Sequence, residues 1–172
     1  MMTAKFEKAY MDVAERFAEL STAIRAKVGC IIVKDNRIIS IGYNGMPSGW
    51  DNECEDHLES YDERDANNPL DPRQWTYDTD TKKYHALKTK PEVLHAETNA
   101  IAKVARSPES AEGATLFCTH LPCMDCAKLI YQSGIATVYY KHEYLAAKGT
   151  GKKFLLESGV EVIQSKGVHH DN

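Results

Sequence analysis

The sequence predicts an α/β protein: a three-layer α/β/α sandwich built on a central mixed sheet of five strands. In the second half of the chain strands alternate with helices, which is typical of parallel strands joined by helical crossovers. In the first half two strands follow each other directly, as in a hairpin. A chain of 172 residues that is 42% hydrophobic can build a core of its own. We therefore expect a single domain over 1–172 with a polar insert at about 50–91.

The first half begins with a predicted amphipathic helix over residues 4–20, because apolar side chains recur there at steps of three and four. They are Phe6, Tyr10, Val13, Phe17 and Leu20. Residues 28–33 and 38–43 are β-branched runs around a polar turn, which predicts a hairpin. Residues 50–91 are rich in Asp, Asn, Glu, Tyr and Pro and show little periodicity. We expect a long loop there, either functional or partly disordered.

The second half alternates helices and strands. A helix is predicted over 94–105, and its apolar face is formed by Leu94, Ala100, Ile101 and Val104. Pro122 opens a further helix that Gly134 ends. The remaining predicted elements are strands at 114–119, 136–140 and 160–163, helices at 123–132 and 149–158, and a polar tail.

Charge and hydropathy exclude several classes of function. Lys and Arg number 21 against 25 Asp and Glu, a formal charge of −4. This balance disfavours nucleic acids and anionic membranes as partners, although a local basic pocket for one phosphorylated small molecule is compatible with it. No apolar run reaches the roughly 20 residues of a membrane span. Residues 1–10 lack the apolar core of a signal peptide, so we expect a cytoplasmic protein.

Two of the five cysteines point to chemistry. Cys30 and Cys118 lie in apolar runs and are predicted to be buried as small hydrophobic residues. Cys123 and Cys126 form a C-x-x-C pair, which in a reducing compartment indicates a metal site or a redox pair. A closed four-cysteine zinc site would need a second close pair, which the remaining cysteines do not supply.

His95 and Glu97 favour a catalytic metal site over a redox pair. Zinc in catalytic sites takes three nitrogen or thiolate ligands and leaves one position open. Two cysteines at i and i+3 of a helix start share one face, and His95, at the start of the neighbouring helix, supplies a third ligand. Glu97 lies close enough to act as a proton shuttle. H-x-E followed by P-C-x-x-C is the signature of zinc nucleobase deaminases.

Four segments resemble the deoxycytidylate (dCMP) deaminases. They are Gly-Tyr-Asn-Gly-Met-Pro at 42–47, His-Ala-Glu-Thr-Asn-Ala-Ile at 95–101, Pro-Cys-Met-Asp-Cys-Ala-Lys at 122–128 and Gln-Ser-Gly-Ile at 132–135. The resemblance implies a cytidine deaminase-like fold and hydrolysis of dCMP to dUMP for thymidylate synthesis. It also implies a homohexamer that dCTP with Mg²⁺ activates and dTTP inhibits. Bacteriophages often encode members of this family.

The resemblance also implies substrate-binding residues. Asn44 lies in the loop that brings an Asn amide to the sugar in related deaminases; the alternative is a turn residue with a left-handed backbone. Arg25 and Lys27 are candidates for the 5′-phosphate, or else ordinary solvated charges. Tyr131 or Tyr139 is a candidate wall for the base, and the alternative for either is the core.

A triphosphate effector is assigned to the glycine-rich loop, whose backbone N–H groups can cradle phosphates. The residues concerned are Gly45, Met46, Pro47, Gly49 and Trp50. Lys152 and Lys153, in the segment 149–153, are further candidates, with helix-capping glycines and surface lysines as the alternative.

Some phage members of the family carry a second, structural zinc held partly by the insert. Cys54, His57 and His85 could contribute here, but residues 21–27 contain no cysteine. We therefore expect one zinc per chain.

Two rival functions remain open. One is a different deaminase of the same superfamily, acting on tRNA adenosine or on a free cytosine, cytidine or guanine. The negative net charge disfavours tRNA. The other is a non-catalytic, zinc-stabilised nucleotide-binding protein, whose mark would be the loss of Glu97 or of a ligand.

Overall fold

The structure is a computed structural model that describes residues 2–61, 75–144 and 150–165. Its strands are β1 (Gly29–Lys34), β2 (Arg37–Tyr43), β3 (Glu55–Ser60), β4 (Thr76–Asp78), β5 (Lys83–Thr89), β6 (Thr115–His120), β7 (Thr137–His142) and β8 (Glu161–Gln164). Its helices are α1 (Ala4–Ala18), α2 (Ala96–Ala105), α3 (Met124–Gln132) and α4 (Lys152–Glu157). Gly149, where the sequence predicts the start of the last helix, lies outside the described residues.

The main sheet has the order β2-β1-β6-β7-β8. Strand β1 runs antiparallel to β2 and β6, whereas β6, β7 and β8 run parallel. Helix α1 covers one face, where Tyr10, Met11 and Phe117 lie in one buried cluster. Residues of α2, α3 and α4 form the larger core on the other face. The predicted three-layer sandwich with a mixed five-stranded sheet is confirmed. No helix of the described chain is both long and apolar enough to span a bilayer.

Small residues set how closely the helices approach the sheet. A Cβ on Gly29 would lie 1.9 Å from the Ala14 carbonyl oxygen of α1. A Cβ on Gly42 would lie 2.1 Å from the Ala96 carbonyl oxygen of α2. Both contacts are far below van der Waals distance, so α1 and α2 can lie this close to the sheet only over glycine.

This close packing corrects two predicted apolar faces. In α1 the buried residues are Tyr10, Met11, Ala14 and Ala18. Phe6 and Leu20, which the spacing places on the buried side, are exposed. Leu94, predicted on the buried face of the second helix, is exposed just before α2 begins. The faces differ because the smallest side chains, rather than the largest, meet the glycines of the sheet.

The insert contains a sheet of its own, which corrects the expectation of a long loop. Strands β3, β5 and β4 form an antiparallel sheet in that order. The pattern escaped detection because most of its residues are exposed or half-buried, so hydrophobic alternation is weak. Its residues Glu55 and Thr89 are opposite each other and lie at the end nearest the site described next.

Candidate active site

The candidate site lies where the first turns of α2 and α3 meet. His95 is the N-cap residue of α2 and Cys123 is the N-cap residue of α3, both with extended backbone. Cys126 follows in the first turn of α3. The structure thus brings together the three residues that the motifs group. Within the described ranges they are the one set of three His, Cys, Asp or Glu side chains gathered closely enough for a metal ion.

The distances between these side chains suit zinc. His95 Nδ1 lies 3.3 Å from Cys126 Sγ and 3.6 Å from Cys123 Sγ. Tetrahedral zinc, with bonds of about 2.3 Å to sulfur and about 2.0 Å to nitrogen, separates these two atom types by about 3.5 Å. All three ligand atoms lie within 4.8 Å of one another. The donor set of one imidazole and two thiols is one that zinc favours.

The two cysteines differ in acidity before any metal binds. The pKa of the Cys123 thiol is lowered to about 4, first because Cys126 donates to its sulfur and also because His95 lies beside it. The pKa of Cys126 is raised, because it is the donor of that pair and because it is buried. Cys123 is therefore the more acidic of the two thiols.

Glu97 lies in the first turn of α2 with only 4% of its surface exposed. Burial raises the pKa of its carboxyl group. A buried carboxyl group with a raised pKa holds a proton more readily than an exposed one, which suits a group that transfers protons. Glu97, the predicted proton shuttle, thus lies two residues after His95 and lines the same cavity.

The cavity above these residues has a volume of about 170 Å³. Its lining residues are Ala23, Arg25, Ala26, Val28, Asn44, Glu55, Thr89, Val93, His95, Ala96, Glu97, His120, Leu121, Cys123 and Tyr144. The predicted substrate residues Asn44 and Arg25 are among them. Lys27 is exposed and is not part of the lining.

Asn44 has a clear structural role at the cavity wall. Its Oδ1 accepts the Val28 N–H at 2.8 Å, and its Nδ2 donates to the Ala26 carbonyl at 2.8 Å. It is not among the residues with a left-handed backbone. The side chain therefore holds the segment 26–28 against the loop after β2, and Ala26 and Val28 of this segment line the cavity.

The two candidate tyrosines lie away from the cavity. Tyr139 is 6% exposed and stacks on Phe117 in the core under α1, with ring centroids 4.8 Å apart. Tyr131, on α3, is exposed and makes an edge contact with Phe154. Instead, His120 and Tyr144 provide the aromatic part of the lining, with ring centroids 6.2 Å apart.

Sequence reasoning did not identify His120, Tyr144, Glu55 or Thr89 as cavity residues. His120 could have been found from its position, because it ends β6 just before the Pro-Cys segment. The Thr119 hydroxyl accepts the Gly29 N–H and lies 3.0 Å from Nδ1 of His120. Burial lowers the pKa of His120, and the nearby His142 lowers it further. Glu55 and Thr89 carry no signal in the sequence, since only the insert sheet brings them to the cavity.

The glycine-rich loop lines a second cavity, of about 480 Å³. Its lining includes all five predicted loop residues: Gly45, Met46, Pro47, Gly49 and Trp50. The predicted lysines are not part of this lining. Lys152 donates to the Tyr140 hydroxyl, and Lys153 pairs with Glu157.

The candidates for a second zinc are not gathered in the described chain. Cys54 Sγ lies 3.4 Å from the Thr22 hydroxyl. His57 is opposite Leu87 in the insert sheet, and His85 is opposite Glu59.

Comparison with known proteins identifies the class that this fold and site define. Residues 4–142 match the family model for the cytidine and deoxycytidylate deaminase zinc-binding region. The chain therefore belongs to the cytidine and deoxycytidylate deaminase family and is a deaminase.

Within the family, the chain is similar to deoxycytidylate deaminases. It is 33% identical to the deoxycytidylate deaminase of Enterobacteria phage T2, over 94% of this chain and 93% of the relative. It is 36% identical to the human deoxycytidylate deaminase, over 76% of this chain and 61% of the relative. The crystal structure of the cyanophage S-TIM5 dCMP deaminase in complex with dCMP and dUMP matches with a TM-score of 0.74 and 39% identity. That match covers 95% of this chain and 99% of the other.

Proposed function

We propose that this protein catalyses the zinc-dependent hydrolytic deamination of dCMP to dUMP and ammonia. The observation that carries the proposal is the placement of His95, Cys123 and Cys126 at metal-binding distance beside buried Glu97. The similarity to proteins named deoxycytidylate deaminase, one of them crystallised with dCMP and dUMP, supports the choice of substrate.

In this proposal His95, Cys123 and Cys126 hold the zinc ion. When bound, zinc acidifies a water molecule and so supplies a nucleophile at neutral pH. Glu97 accepts a proton from the attacking water and delivers it to N3 of the cytosine ring. It then accepts the proton of the hydroxyl group formed at C4 and delivers it to the amine, which leaves as ammonia. Burial raises the pKa of the Glu97 carboxyl group, which is consistent with a group that carries protons in a functional site.

The remaining cavity residues bind the substrate. The segment that Asn44 holds in place forms the wall beside the sugar. Arg25, with its planar guanidinium, takes the 5′-phosphate. His120 and Tyr144 form the aromatic side of the cavity.

The proposal also covers the regulation of the enzyme, its oligomeric state and its location in the cell. We place the effectors dCTP, with Mg²⁺, and dTTP at the second cavity, whose wall contains the glycine-rich loop. We further propose that the enzyme is a homohexamer and supplies dUMP for thymidylate synthesis in the cytoplasm. For a phage enzyme this is the cytoplasm of the host. The proposal includes neither nucleic acids nor membranes as partners.

A deamination assay tests the proposal directly. The purified protein is given dCMP, cytidine, dCTP and adenosine-containing tRNA in parallel, and ammonia release is measured. We expect the highest kcat/KM with dCMP, activation by dCTP with Mg²⁺ and inhibition by dTTP. A faster reaction with any other substrate in the panel would contradict the proposed substrate. A response to neither triphosphate would contradict only the regulatory part.

A further inference from the structure

Two residues that lie opposite each other on strands β3 and β5 of the insert sheet both contact Arg25. Glu55 begins β3, Thr89 ends β5, and the two are directly opposite in the antiparallel register. Glu55 contacts the backbone of Arg25, and Thr89 contacts its guanidinium. All three residues line the cavity that contains Glu97 and His95. The insert sheet is therefore connected to the candidate active site through Arg25.

The contact with Glu55 fixes the backbone. Glu55 is 6% exposed, and its Oε1 accepts the N–H groups of Ile24 at 3.1 Å and of Arg25 at 3.2 Å. A carboxylate that accepts backbone N–H bonds makes stronger hydrogen bonds than a neutral acceptor. The segment before β1 thus lies in a defined position relative to the insert sheet.

The contact with Thr89 fixes the side chain. Nη1 of Arg25 donates to the Thr89 hydroxyl at 3.1 Å. A guanidinium group has five N–H donors, and the bond to Thr89 uses one of them. Among the described residues no side-chain carboxylate forms an ion pair with the Arg25 guanidinium, whose partner there is the neutral Thr89 hydroxyl. An oriented guanidinium at a cavity wall suits an incoming phosphate.

We infer that the insert sheet is a specificity element for the 5′-phosphate: the Glu55–Thr89 pair orients Arg25 so that the site prefers a nucleoside monophosphate over the nucleoside. This inference rests on the proposed function and gives the insert its task. Glu55 and Thr89 are positioning residues that act through Arg25. Pre-organising the arginine raises affinity for the phosphate because less side-chain freedom is lost on binding.

The test compares dCMP with deoxycytidine, which lacks only the phosphate. T89V removes the acceptor while keeping the shape of the side chain, and T89S keeps the acceptor as the matched control. We expect T89V to lower the dCMP-to-deoxycytidine ratio of kcat/KM by about three- to tenfold, through KM for dCMP. T89S should keep the wild-type ratio. If deoxycytidine reacts too slowly, calorimetric dissociation constants of dUMP and deoxyuridine give the same ratio.

A double-mutant cycle separates positioning from general stability. R25A should lower the ratio by about ten- to a hundredfold. If Thr89 acts through Arg25, adding T89V to R25A has no further effect on the ratio. E55Q keeps an oxygen acceptor but loses its charge, so it should lower the ratio less than E55A, which should behave like T89V.

Several results would overturn the inference. An equal loss for dCMP and deoxycytidine in T89V would mean a purely structural role. Additive effects of R25A and T89V would show that Thr89 does not act through Arg25. A wild-type protein that does not deaminate dCMP would contradict the proposed function, and the inference with it. A wild-type protein that does, with an unchanged ratio in T89V and R25A, would contradict the inference alone.

Discussion

Replacing Glu97 with Gln removes the proposed proton shuttle and little else. The two side chains have nearly the same shape, and none of the three candidate metal-ligating atoms belongs to Glu97. The side chain is 4% exposed, so Gln occupies the same buried space. We expect zinc content to stay at the wild-type level while turnover of dCMP is lost.

The size of the loss follows from what else lies in the cavity. Among the described lining residues the other carboxylate is Glu55, whose Oε1 already accepts two backbone N–H groups. No second carboxyl group is therefore placed to take over the proton transfers. Loss of general acid–base catalysis should reach the upper end of its usual range, about 10³- to 10⁴-fold. This corresponds to about 4–5.5 kcal/mol in activation free energy.

The assay measures kcat for dCMP deamination and zinc per chain on the same sample, with E55Q as the matched control. E55Q also changes a buried cavity carboxylate to its amide and should keep most of the activity. An E97Q variant that retained more than about a tenth of wild-type kcat would refute the shuttle role. Loss of zinc together with activity would show that the carboxylate supports the metal site instead.

The acidity of Glu97 gives the same substitution a second, independent readout. Burial raises the pKa of Glu97 above its ordinary value of 4.5. In the metal-free protein the folded state therefore binds the proton more tightly, and this stabilisation is lost as the pH rises through the raised pKa. Metal-free E97Q has no carboxyl group that must ionise in this buried position. Its melting temperature relative to wild type should therefore increase from about pH 4.5 upward.

Four further substitutions probe the residues around the site. G42A should cost about 1–3 kcal/mol or more in unfolding free energy and also reduce zinc content and kcat, because its Cβ would push α2 away. G29A should lower the unfolding free energy by a similar amount in a urea titration but leave zinc content and kcat intact, because its Cβ would contact α1 rather than α2. If the two variants lost zinc and kcat equally, this difference between α1 and α2 would be refuted. C126S should lower zinc per chain measured by mass spectrometry, and full retention would remove Cys126 from the ligand set. Burial holds the pKa of His120 below its ordinary value of 6.5, so the stability of the folded protein should fall as the pH drops below 6.5. H120N should reduce this pH dependence of the melting temperature, and an unchanged slope would contradict the role of His120.

Much of the fold could be predicted from local patterns. The two-residue turn between β1 and β2 is one case, because Asp35 and Asn36 take the positive φ values that this turn requires, 49° and 57°. Gly134, with a φ of 80°, ends α3 as expected. Cys30 and Cys118 are fully buried strand residues, as their apolar surroundings predict. These features depend on residues close in sequence, so a single sequence is enough to reveal them.

The insert and the cavity wall could not be predicted in the same way. Strands β3, β4 and β5 are largely exposed or half-buried, so they leave only a weak hydrophobic pattern. Tyr131 and Tyr139 were reasonable candidates by residue type, but α3 turns one to its exposed side and β7 places the other under α1. Periodicity shows that a side chain faces a core or solvent, and it does not show which cavity it borders.

The amino-acid sequence by itself indicated the chemistry that we propose for this protein. His95, Glu97, Cys123 and Cys126 are recognisable because a metal needs particular donor types at helix starts, and that requirement is local. Only the tertiary structure decided which residues surround the metal site. Arg25, Glu55 and Thr89 come from segments far apart in the chain, and they meet at the cavity because the insert sheet pairs Glu55 with Thr89 beside the start of β1. A contact of that kind depends on strand register, which no short stretch of sequence encodes.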